Sequence, residues 1–132
     1  MTTPNIDDAL FKPIEVDALF PKKHSTHPVK ILMLYGSLRK TSYSRLVAQE
    51  AGRILERLGA QVRFYNPAGL PLVDEENADH PKVVELHEMV QWCEGMVWSS
   101  PERHGAMTGV MKTQIDWVPL SVGAMRPTQG KT

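Results

Sequence analysis

Residues 29–35, Val-Lys-Ile-Leu-Met-Leu-Tyr, form a nearly unbroken apolar run that stops at Gly36. A strand with one wet face alternates apolar and polar residues. A short run that does not alternate suits a parallel strand covered on both faces. Parallel neighbours need long crossovers, so helices must follow.

They do follow. From Ser44 the apolar positions Leu46, Val47, Ala51, Ile54, Leu55 and Leu58 recur at helical spacing, and Gly59 is a stop signal. Residues 61–65, QVRFY, alternate as a second strand ended by Asn66, Pro67 and Gly69. Residues 70–80 read as a loop holding the acidic cluster Asp74, Glu75 and Glu76. Pro81 opens a second helix running to about Cys93, with Gly95 as its stop. Residues 95–99, GMVWS, read as a third buried strand, residues 100–106 as a loop, and residues 107–118 as a helix with Thr108 as candidate cap and Pro119 as stop. Three strand-helix pairs predict an α/β fold. With right-handed crossovers this is a flavodoxin-like parallel sheet with helices on both faces, its strand order beginning 2-1-3.

The 132 residues suffice for one domain with its own core, without disulfides or a structural metal. Residues 29–132 carry the α/β pattern. Residues 1–28 form an arm punctuated by Pro4, Pro13, Pro21 and Pro28, yet Ile6, Leu10, Phe11, Ile14, Val16, Leu19 and Phe20 are too apolar for a free solvated segment. Docking on the chain itself, or contact within an oligomer, is expected.

Fifteen basic and fifteen acidic residues cancel, so no global field draws in nucleic acid or an anionic membrane. Any anion must be held locally. Cys93 is the sole cysteine, which excludes an intrachain disulfide framework and any site built from several thiolates of one chain. A reducing cytoplasm is the expected compartment. Asp7 and Asp8 lie where a signal peptide needs a basic start, and no apolar run reaches membrane-spanning length.

In wound sheets of this type, ligands bind beyond the carboxyl ends of the strands where the order reverses. Two loops meet there. The first, residues 36–45, has one glycine and so is not a dinucleotide-binding G-x-G-x-x-G turn. It offers hydroxyls at Ser37, Thr41, Ser42, Tyr43 and Ser44 and the cation Arg39, just ahead of a helix N-terminus that favours anions. That chemistry suits a terminal monophosphate, although an ordinary Ser/Thr-rich cap with a solvated arginine has the same composition. The second loop, residues 99–105, brackets a turn between Pro101 and Gly105. Its backbone N–H groups are suited to the polar edge of a flat heteroaromatic ring, and the same residues are compatible with a plain polar loop leading into a helix. Together the loops suggest FMN.

The segments GSLRKTSYSR at 36–45, SPERHGAMTGVMKTQIDWVPL from residue 100 and GAMRPTQGKT to residue 132 resemble the arsenical-resistance flavoproteins called ArsH, within the NADPH-dependent FMN reductases. The resemblance runs from about residue 6 to residue 132. It implies that Ser37, Arg39, Ser42, Tyr43 and Ser44 bind the FMN phosphate and its ribityl approach, and that Pro101, Glu102, Arg103, His104 and Gly105 line the isoalloxazine. It implies hydride transfer from NADPH through FMN to small-molecule acceptors such as oxygen, quinones, azo compounds or metal ions, a link to organoarsenical detoxification, and a homo-oligomer, namely a tetramer. No side chain need be a nucleophile, and His104 is the one candidate for moving a proton or holding the nicotinamide phosphate. The resemblance also implies more strands and helices after residue 132, including a glycine-rich loop completing the flavin pocket. The chain is therefore read as C-terminally truncated, with strand three left as an edge. A catalytically impaired flavin-binding or oligomer-forming fragment is the alternative function.

Other signals are weaker. Residues 130–132, Gly-Lys-Thr, mimic the end of a phosphate-binding P-loop, but position 125, where that motif needs glycine, is Met125. His80 and His87 read as solvated helix-face residues, and Trp92, Trp98 and Trp117 as core or interface.

Overall fold

The structure, a computed structural model, describes residues 3–12, 15, 18, 26–122 and 126–132. Expectations for Pro13, Ile14, Val16, Leu19, Phe20, Pro21 and Met125 lie outside the described residues.

Strand β1 (Lys30–Tyr35) is followed by helix α1 (Tyr43–Arg57), β2 (Gln61–Phe64), α2 (Pro81–Trp92), β3 (Gly95–Ser99), the two-residue strands β4 (Glu102–Arg103) and β5 (Ala106–Met107), and α3 (Gly109–Asp116). The main sheet has the order β2-β1-β3 with both pairings parallel. Leu32, Met33 and Leu34 in β1 are fully buried, as an unalternating run requires. Met33 and Tyr35 point to the α1 face with Ala48, whereas Leu32 and Leu34 point to the other face with Tyr65, Val83, Leu86, Val90, Met111 and Trp117. The sheet is thus covered on both sides, the flavodoxin-like arrangement expected. No helix among the described residues is long and apolar enough to cross a membrane.

Two expectations need correction. Residues 100–106 are not simply a loop: β4 and β5 pair antiparallel across His104 and Gly105, and Met107 belongs to that hairpin rather than to the following helix. The physical reason is the turn. His104 has φ 54° and Gly105 φ 77°, and positive φ at both central residues makes a tight two-residue hairpin. The Glu102 carboxylate closes it by accepting from the Gly105 N–H at 2.8 Å.

The second correction concerns α1. Leu46, Val47 and Leu58 are exposed, and the buried stripe is Ser44, Ala48 and Gly52. Small residues at i, i+4 and i+8 let the helix lie close on the sheet, so the larger apolar side chains fall on its flanks.

Helix α2 is capped by His80, whose Nδ1 accepts from the Lys82 N–H at 3.2 Å, while His87 Nε2 lies 2.8 Å from the Trp117 carbonyl. Both histidines are therefore engaged structurally rather than merely solvated. Lys131 Nζ donates to the Val90 carbonyl at 2.5 Å, so the terminal Gly-Lys-Thr serves the end of α2. Beside it the Met96 N–H donates to the Thr132 carbonyl at 2.6 Å, on the outer edge of β3. Of the arm, Asp8 and Thr3 meet Arg57 at the end of α1, and the Arg57 guanidinium lies 4.3 Å over the Phe11 ring.

Candidate functional site

At the carboxyl end of the sheet, β1 leaves at Gly36 and β3 leaves at Ser99, and the Gly36 N–H donates to the Ser99 carbonyl at 2.9 Å. The chain then diverges to either side of a cleft of about 1170 Å³. Small-molecule sites usually span roughly 300–1,000 Å³, so this open cleft is ample for a nucleotide-sized ligand.

One wall is the loop into α1. Ser37, Leu38, Arg39, Thr41, Ser42, Tyr43 and Ser44 line the cleft, with Val47 below them. Ser42 is the N-cap: its Oγ accepts from the Arg45 N–H at 3.2 Å and lies 3.0 Å from the Ser44 Oγ. Both serines are buried, whereas Arg39 and Tyr43 are exposed. The first turn of α1 carries no acidic residue, so its free N–H groups and dipole are left for an outside anion. Arg45 was absent from the sequence-derived site. Its Nη2 donates to the Lys40 carbonyl at 2.6 Å, tying the loop to the helix it enters.

The opposite wall is Ser99, Ser100, Pro101, Glu102 and Arg103, with Thr108, Gly109 and Val110 from the start of α3. His104 and Gly105 lie at the exposed hairpin tip rather than in the cleft wall, and the Gly105 N–H is already taken by Glu102. The sequence-derived residues of the first loop and Pro101, Glu102 and Arg103 are thus brought together, while the tip stands at the rim.

Thr108 joins the two walls. Its Oγ1 donates to the Gly36 carbonyl at 2.6 Å and accepts from the Met111 N–H at 3.2 Å, and its own N–H donates to the Ser100 Oγ at 3.1 Å. Gly36 makes this approach feasible, since a Cβ there would lie 2.7 Å from Thr108 Oγ1 and 2.8 Å from Ser100 Oγ. The cap was legible from sequence. Its reach across the sheet was not.

No nucleophile is poised here. Cys93, the C-cap of α2, is buried, and burial pushes its thiol up, away from the reactive thiolate.

The family model for NADPH-dependent FMN reductase matches residues 29–132. This chain belongs to that family. It is 57% identical over 129 residues to the NADPH-dependent FMN reductase ArsH of Acidithiobacillus ferrooxidans, covering 98% of this chain and 54% of that protein. It is 65% identical over 108 residues to the ArsH of Rhizobium meliloti, covering 82% and 45%. The chain therefore spans about half the length of these relatives. Among solved structures, the flavoenzyme NAD(P)H:(acceptor) oxidoreductase FerB from Paracoccus denitrificans superposes with a TM-score of 0.65 at 22% identity, over 78% of this chain and 57% of that one. That likeness supports the fold.

Proposed function

We propose that the cleft holds FMN and that the chain serves an NADPH-dependent FMN reductase of the ArsH type. The observation carrying this reading is the convergence of a hydroxyl-rich, cation-bearing helix N-terminus and a second loop on one cleft at the sheet's switch point. The donor set fits the group. Ser37, Arg39, Ser42, Tyr43 and Ser44 would hold the phosphate and the start of the ribityl chain. Pro101, Glu102 and Arg103 would flank the isoalloxazine, with His104 and Gly105 at the rim beside its edge.

When bound, FMN would supply two-electron chemistry between NADPH and a small acceptor such as oxygen, a quinone, an azo compound or a metal ion. This chain's own residues position and shield. Arg39 neutralises phosphate charge, the α1 N-terminus donates N–H groups, and Leu38 and Val47 on one wall and Val110 on the other give the cleft apolar surface. With a single cysteine per chain, any organoarsenical chemistry belongs to the flavin. Residues 29–132 act as the flavin-binding unit, residues 1–28 as a docking arm, and the working form is a cytoplasmic homotetramer.

Adding FMN and following NADPH oxidation by the loss of nicotinamide absorbance tests this reading. FMN-dependent oxidation is the expected result. Binding without oxidation would favour a flavin-binding fragment. Absence of FMN binding would contradict both.

A further inference from the structure

Gln114 is fully buried in α3, an unusual place for a carboxamide. Its Nε2 donates to the Tyr35 carbonyl at 3.1 Å and to the Val110 carbonyl at 2.9 Å, while its Oε1 has no partner among the described residues. An apolar residue would avoid that orphaned oxygen, so the amide must answer some other need.

The β1–β2 ladder reveals the need. The Gln61 N–H donates to the Val29 carbonyl at 2.8 Å and the Tyr65 N–H to the Met33 carbonyl at 3.1 Å. The paired register ends at Met33 and Phe64, and a parallel ladder repeats every two residues, so a continuation would bring the N–H of residue 67 to the Tyr35 carbonyl. Residue 67 is proline and has none. Gln114 supplies the missing donor from the helix above. With Thr108 holding the adjacent Gly36 carbonyl, α3 fixes two consecutive carbonyls at the origin of the loop that carries Ser37 and Arg39.

We infer that Gln114 is a positioning residue: it replaces the ladder donor lost at Pro67 and so sets the loop at residues 36–42 in the geometry that receives the flavin phosphate. The role rests on the FMN reading and touches no flavin atom itself. A merely structural residue would alter stability and affect all flavins alike. Gln114 should act on the phosphate-bearing ligand.

The test compares the chain with Gln114→Met, which keeps length without a donor, and with Gln114→Met combined with Pro67→Ala, which returns an N–H to residue 67. Amide hydrogen exchange at residues 36–41 is measured without ligand, and FMN and riboflavin are titrated by flavin fluorescence. In Gln114→Met, exchange should rise about tenfold and FMN affinity should fall about tenfold, while riboflavin affinity should change less than about threefold. Pro67→Ala should reverse both losses. Unchanged exchange, equal weakening of both flavins, or no reversal would overturn the inference. Should Gln114→Met fold poorly, recovery of folding in the double variant is the same rescue, and its absence is the same refutation. Riboflavin bound as tightly as FMN by the unaltered chain would overturn the phosphate assignment instead, while the exchange data still decide whether Gln114 holds the loop.

Discussion

The Thr108 hydroxyl donates to the Gly36 carbonyl at 2.6 Å, joining the cap of α3 to the end of β1 across 72 residues of sequence. One side chain thereby closes a helix N-terminus and fixes the angle between both walls of the cleft. Thr108→Val should cost about 2–3 kcal/mol, combining a lost cap with an unpaired carbonyl. Thr108→Ser, which keeps the hydroxyl, should cost less than about 1 kcal/mol. Urea unfolding of the three proteins checks the order.

Arg39 is the exposed cation of the first wall. A charge-assisted bond to phosphate is worth about 1.5–3 kcal/mol, so Arg39→Ala should weaken FMN by roughly 10- to 100-fold and leave riboflavin nearly unchanged. The effect should shrink at high salt, because the arginine faces solvent. Equal weakening of the two flavins in parallel titrations would count against the assignment.

Glu94 couples the segment before β1 to the start of β3. Its carboxylate lies 2.8 Å from His27 Nε2 and accepts from the Lys30 N–H at 3.0 Å. The His27 contact, then the Lys30 N–H, hold its acid below the ordinary glutamate value. With the folded value depressed, the contribution is complete above the unfolded value of about 4.3 and is lost as pH falls through the lowered one. Thermal melts from about pH 6 to about pH 3 should therefore fall more steeply for the unaltered chain than for Glu94→Gln.

His104 holds φ 54° without being glycine. Asparagine adopts that region more readily and precedes glycine in the favoured two-residue turn, so His104→Asn should stabilise the chain by about 0.5 kcal/mol. A lower melting temperature in that variant would contradict the hairpin geometry.

The main sheet was legible because its signals are physical necessities. The run at 29–35 does not alternate and its second half is buried, whereas residues 95–99 form a strand but not the buried one expected: only Gly95 is buried and Trp98 is half-exposed. The hairpin was missed because Glu102, Arg103, Ala106 and Met107 are all exposed and show no alternation to read. The His-Gly pair at 104–105 was the available signal. In α1 the periodic apolar pattern was right in part: Ala51 and Leu55 pack on the sheet with Ala48, but Leu46, Val47 and Leu58 are exposed, since close approach to the sheet selected Ser44, Ala48 and Gly52. Gln114 was illegible for a different reason. A glutamine in an amphipathic helix reads as surface until the structure shows its Nε2 donating to the Tyr35 carbonyl, beyond the last β1–β2 pair.

The proposed function stands on FMN occupying the cleft between residues 36–44 and 99–103. Backbone amide chemical-shift mapping during FMN titration of the isotopically labelled chain tests it most directly. The largest changes should fall at Gly36–Ser44 and at Ser100, Glu102 and Arg103, with those at Ser37–Ser44 much reduced when riboflavin replaces FMN. Changes centred elsewhere, or the same changes at Ser37–Ser44 with both flavins, would contradict it.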